Sequence, residues 1–241
     1  MDPNALIPIP DTIPAPSWIF ILLEQLLFLL HILVINTVLG GALIALVKRF
    51  RTDTVQYEEM YKSTAKKFPI LIALGINLAI PPLLFLQVVF GHLFYSSSVL
   101  MATYWILIIP LLIVAYYGFY VHCSKVVTAS GLSKISLICS ISIMLYIGFM
   151  LVLNNSLMVQ PENWTAYFHN RGGGILNFAD TSIWPRYLHF LLASVAVGAL
   201  MFSFVFKCRQ AADQARGYLK IFAFATMAQF IVGTWYLLAL P

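Results

Sequence analysis

Six stretches of this sequence are apolar almost without interruption: about Trp18–Val47, Phe68–Tyr95, Val99–Cys123, Ile135–Leu153, Trp184–Phe206 and Tyr218–Leu240. A helix needs roughly 20 apolar residues to cross a hydrocarbon core of ~30 Å, and each stretch meets that length. The pattern predicts an all-α membrane protein of six transmembrane helices. Residues 1–17 form a polar, proline-rich segment. Residues 18–158 hold four spans and predict a four-helix bundle, 159–183 form a loop, and 184–241 form a two-helix hairpin. No internal repeat or soluble segment divides the chain, so 1–241 reads as a single membrane domain. Pro81-Pro82 and Pro110 fall inside spans, where proline is expected to kink the helix. A tight turn is expected at Ser96–Ser98, between the second and third spans.

Composition agrees with the pattern. Hydrophobic residues make up 61% of the chain and charged residues 10%, against roughly a quarter charged in a soluble domain. The net charge of +5 would suit nucleic acid, but the placement of the charges argues for membrane topology instead. Lys48, Arg49, Arg51, Lys62, Lys66 and Lys67 follow the first span. Lys125 and Lys134 bound the loop after the third, and Lys207, Arg209, Arg216 and Lys220 follow the fifth. These are all but two of the 14 basic residues, so that side is cytoplasmic by the positive-inside rule. Both termini then lie on the periplasmic side of a bacterial inner membrane. The first 17 residues carry prolines and aspartates and no basic run, so they do not read as a cleavable signal. Cys123, Cys139 and Cys208 fall near inner helix ends and read as small apolar side chains. The absence of Cys-x-x-Cys-His excludes covalent c-type haem, and no zinc-ligand spacing occurs.

The chemistry lies on the outer side. The loop Asn154–Ile183 is the largest outer feature, and its Arg171-Gly172-Gly173-Gly174 string predicts a flexible or close-approach segment. If Val47 marks the inner boundary of the long first span, the outer boundary falls near Leu27. Glu24 then sits at the interface, and His31 lies ~6 Å below it. His92 is near the outer end of the second span, His189 about one turn inside the fifth, and His169 in the outer loop. Only His122 lies at an inner end. Polar groups in lipid are costly, which makes each a functional candidate. Imidazoles on separate helices at one depth suit axial ligation of haem iron. Met158 and Met201 are thioether candidates, Arg186 can pair with a propionate, and Gly40-Gly41 lets helices approach closely. Each group also has an ordinary role. An interhelical hydrogen bond suits His31 and His189. Contact with water suits His92 and His169, His122 sits beside Lys125 at an inner boundary, and an interface carboxylate or a quinol partner suits Glu24. No two histidines share a span, which excludes the diheme cytochromes b that stack two on one helix.

Several strings together resemble the N-terminal half of subunit I of cytochrome bd quinol oxidases. His31 to Gly41 matches a first-helix histidine followed by small residues, and Gly75-Ile76-Asn77-Leu78-Ala79 matches the start of the second helix. Phe90-Gly91 follows near that helix's outer end. Asn155-Ser156-Leu157-Met158-Val159-Gln160-Pro161 matches an Asn-x-x-Met-x-x-Pro string, followed by Phe168 and Leu176-Asn177. His189 to Ala199 matches the opening of the fifth helix. The resemblance covers about residues 18–207. It implies that His31 ligates a high-spin haem and His189 a low-spin haem b, both near the periplasmic face.

The departures are as informative. The family's two third-helix glutamates have no counterpart in Val99–Cys123, and Gln87 or Val89 stands where a second-helix glutamate is expected. The family's quinol-loop region and later methionine ligand lie beyond the part matched. The resemblance thus implies a membrane cytochrome b subunit that binds haem b and transfers electrons between membrane quinol and a periplasmic partner such as a c-type cytochrome. It would work within a hetero-oligomeric oxidoreductase complex, with His92 or His169 as a replacement ligand. Two alternatives stand beside it: an oxygen-reducing bd-type subunit, and a haem-free membrane anchor or small transporter.

Overall fold

The structure is a computed structural model that describes residues 3–13, 15–51, 64–125 and 130–240. Its six long helices are α1 (Ser17–Arg51), α2 (Phe68–Leu100), α3 (Ala102–Lys125), α4 (Ser130–Val159), α5 (Ile183–Cys208) and α6 (Ala212–Leu238). All six are long and apolar enough to cross a membrane. Two short 3₁₀ segments, Pro3–Leu6 and Pro161–Phe168, pack against each other, and no strand occurs among the described residues. Lys62 lies outside the described residues. Lys66 and Lys67 stand exposed just before α2, and Lys48, Arg49 and Arg51 occupy the last turn of α1.

The helices exceed the apolar stretches at most ends, because helix continues into polar flanks that hydropathy does not score. The serine turn is a larger difference. Ser96–Ser98 are helical, and the break falls one turn later at Met101, where φ is −111° and ψ is 29°. The Ser96 hydroxyl donates to the His92 carbonyl at 2.9 Å and Ser97 to Phe94 at 2.9 Å. Such back-bonding lets serine stay in a helix without exposing its hydroxyl to lipid. Backbone dihedrals stay helical through Pro81 and Pro82, and the non-helical residue of α2 is Phe90 (φ −122°, ψ 24°). Cys139 lies well inside α4 rather than at its end.

α1 packs chiefly on α2 and α5, α3 on α4, and α5 on α6. Lipid tails are as apolar as leucine, so close backbone approach has to replace the hydrophobic drive of a soluble core. Gly40 and Gly198 supply it where α1 crosses α5. A Cβ on Gly40 would lie 1.7 Å from the Ser194 carbonyl oxygen, and one on Gly198 would lie 2.4 Å from the Gly40 carbonyl carbon. The buried Ser194 hydroxyl sits 2.8 Å from Asn36 Oδ1 at the same crossing. Below it, Ile44 and Ala45 pack with Ala199, Phe202, Phe206 and Tyr218. A second cluster joins Val38, Leu39 and Ala42 to Phe68, Ile72, Phe119 and Leu137. A third gathers Leu100, Met101, Leu153, Leu157, Trp164 and Ile183 beneath the loop between α4 and α5.

Candidate functional site

His31 projects from α1 towards α2. The seam is marked by Phe20 against Phe85 (ring centroids 6.0 Å apart) at one end and by His31 and Gly75 at the other. His31 Nδ1 lies 2.8 Å from the Gly75 carbonyl oxygen. A carbonyl only accepts, so Nδ1 carries the proton and Nε2 keeps its lone pair. Nε2 makes no hydrogen bond among the described residues. This is the form in which histidine binds a metal: one nitrogen oriented by a backbone carbonyl, the other bare. Phe28 flanks the ring at 6.3 Å. Glu24 is half-buried two turns away on α1, with Gln25 Nε2 at 2.6 Å from its carboxylate.

His189 lies at a similar level on α5, as the Asn36–Ser194 pair sets the register, but it engages a different neighbour. Its Nδ1 is 3.6 Å from where a Gly233 Cβ would stand, so the ring lies in the seam between α5 and α6. Nδ1 is buried with no partner among the described residues, and the His189 carbonyl accepts from Gln229 Nε2 at 3.2 Å. His92 is half-buried in α2 and His169 is exposed after the second 3₁₀ segment. Met158 is buried in the last turn of α4, whereas Met201 is exposed on α5. Arg186 ties three helices together: Nε donates to the Tyr236 hydroxyl at 2.9 Å, and one terminal nitrogen bonds Asn155 Oδ1. No group of three or more His, Cys, Asp or Glu side chains assembles among the described residues.

Two features went unseen in the sequence. The first is Asp180, the hub that closes the outer loop. Its carboxylate accepts from the Ser156 hydroxyl at 2.5 Å and from the Ser182 backbone N–H at 2.8 Å. Asn177 Nδ2 reaches Ser156 Oγ at 2.9 Å and Gln160 Oε1 at 2.8 Å. Burial acts to raise the Asp180 carboxyl, but hydrogen bonds from Ser156 and Ser182 and the charge of Arg186 hold it below its ordinary value. A readable sign existed, since Asp180-Thr181-Ser182 ahead of a helix is an Asx-turn pattern. The string Asn155–Pro161 is therefore put to use locally: Asn155 meets Arg186, Ser156 meets Asp180, and Gln160 meets Asn163 and Asn177. Gly173, at φ +67°, brings the loop against Ala102. There the Gly173 carbonyl accepts from Thr103 N at 3.0 Å, while Ile175 N donates to Leu100 O at 3.0 Å. An open pocket of about 450 Å³ lies between this loop and the end of α6, lined by Gln160, Glu162, Asn163, Asp180 and Leu240 among others.

The second feature is the burial of His122, which the sequence places beside Lys125 at an inner boundary and which is 1% exposed. Its Nδ1 faces the Ser133 carbonyl at 3.1 Å and the Ser133 hydroxyl at 2.9 Å, and its Nε2 is buried without a partner among the described residues. The surrounding Phe68, Phe119 and Leu137 are closely packed. Comparison with protein-family models, with curated proteins and with solved structures finds no match to this chain.

Proposed function

We propose that this chain is a haem b-binding subunit of an electron-transfer complex in a bacterial inner membrane. It passes electrons between membrane quinol and a periplasmic redox partner such as a c-type cytochrome. The observation that carries the reading is the 2.8 Å bond from His31 Nδ1 to the Gly75 carbonyl. It fixes the ring and raises the basicity of Nε2, the atom that would take iron. Haem b supplies a one-electron iron couple when bound. His31 would hold the group, with Phe28 beside its ring. Arg186 retains guanidinium N–H groups beyond those given to Tyr236 and Asn155, and these suit a propionate. His189, whose ring lies in the α5–α6 seam, would not hold the same iron as His31. His92 stands about 25 Å of helix beyond Gly75, and the α4 end that carries Met158 is tied to Ser98 through Asn154, so neither reaches the same iron.

The basic helix ends support an orientation with the termini and the Asn154–Ile183 loop outside. In that orientation Glu24 is a carboxylate two turns outward of His31 on α1, placed to accept a quinol proton. The loop, fastened by Asp180, is the surface for the periplasmic partner. α3 contains no acidic residue, which favours electron transfer over oxygen reduction. A second reading draws on the same bond. As an interhelical contact, His31–Gly75 also suits a haem-free membrane anchor. Reduced alkaline pyridine extracts of the purified chain decide between them. A haem b band close to one per chain supports the cytochrome, and a colourless, folded preparation supports the anchor.

A further inference from the structure

Asn77 lies about 13.5 Å along α2 from Phe68, and exposed Lys66 and Lys67 mark that end of the span. In a core of ~30 Å this is close to the bilayer midplane. The side chain is exposed on the outer surface of the helices. Nδ2 donates once, to the Ala73 carbonyl at 2.8 Å, while Oδ1 and the second N–H have no partner among the described residues. The backbone adds an acceptor, because Pro81 has no N–H to give the Asn77 carbonyl. Lipid offers neither donors nor acceptors, so an exposed amide at this depth calls for a protein neighbour.

The residues around Asn77 have the spacing of a helix seam. Ile70, Ala73, Asn77, Ile80, Leu84 and Gln87 alternate steps of three and four, the repeat by which two helices interlock along their length. Ile70 is 69% exposed, Ile80 51% and Leu84 54%, so nothing among the described residues covers this seam. It ends just before Phe90, where the backbone leaves helical geometry.

We propose that this face of α2 is the interface with a second copy of the same chain. Copies inserted in one orientation are related by a two-fold axis along the membrane normal, which sets their α2 helices parallel and in register. Asn77 then faces its own counterpart. An amide carries both a donor and an acceptor, so two like residues exchange N–H to Oδ1 bonds and each copy satisfies the other. Leu84 meets its counterpart two turns further on. This polar self-complementarity is what selects a second copy over an unlike apolar helix. The inference is independent of haem binding.

Crosslinking in intact membranes tests it, in a chain whose Cys123, Cys139 and Cys208 are replaced by Ser. Asn77→Cys and Leu84→Cys should each oxidise to a dimer, while Phe230→Cys, 75% exposed on α6, should not. In mild detergent, Asn77→Leu should weaken self-association about tenfold, and Asn77→Gln should retain it. Crosslinking at Phe230→Cys equal to that at Asn77→Cys would overturn the proposal. So would a monomer in detergent with no dimer at either α2 position, or crosslinks from Asn77→Cys to a different polypeptide.

Discussion

The two halves of α1 contrast sharply. From Asn36 to Ala45 nearly every residue is buried, and the helix is pressed against α5 until backbone meets backbone at Gly40 and Gly198. From Ser17 to Ile35 no residue is buried, and Leu22, Leu26, Leu29 and Leu30 are each about half exposed. Apolarity alone does not separate the halves, since both belong to one apolar span. Small residues do. Gly40, Gly41 and Ala42 permit contact in the inner half, and bulky leucines hold neighbours off in the outer half. The lesson is that in lipid a tight crossing is built by what is left out of the side chains. The half without such residues is left to lipid, partner or cofactor, and it is the half that carries Glu24 and His31.

The largest effect on this contrast should come from the crossing itself. Gly198→Val places atoms inside the α1 backbone and should cost about 3 kcal/mol or more, read as loss of monodisperse protein or a large drop in Tm in detergent. Asp180→Asn should cost less, about 2 kcal/mol for bonds to a charged group, and confined to the outer loop. Because the folded-state carboxyl lies below its ordinary value, its contribution is fully present above the unfolded value of ~3.9. It is lost as pH falls through the folded value. Hydrogen exchange in residues 161–182 should therefore rise below about pH 4 in the natural chain. In Asp180→Asn, protection relative to the intrinsic exchange rate should be low throughout and insensitive to pH in that range. Arg186, which favours the charged form, is the ionisable neighbour whose replacement should shift this transition. The smallest effect belongs to the outer half: Leu30→Ala, at a residue 49% exposed, should change stability by under ~0.5 kcal/mol. A drop as large as that of Gly198→Val would abolish the distinction between the halves.

The six spans were legible because continuous apolarity has no other stable solution in water. Helix ends were less so, as at Ser96–Ser98, where hydroxyls bonded to their own helix carried it on to Leu100. Gly40-Gly41 could be read as a place of close approach, but nothing local named Ser194 and Gly198 as the partners. The same distance in sequence hid the Asp180 hub, whose Ser156 partner belongs to the preceding helix. His31 was readable as a polar group inside a span, and its orienting carbonyl, Gly75, lay in a string already singled out. The seam that His189 enters was not legible, because rotation about a helix axis depends on neighbours that sequence spacing does not specify.

Haem content measured side by side in His31→Ala and His189→Ala tests the central claim most directly. Both variants are purified in the same detergent, with folding checked by circular dichroism. The account predicts that His31→Ala is folded and free of haem b, while His189→Ala keeps its haem. A folded His31→Ala with its full haem b content would contradict it.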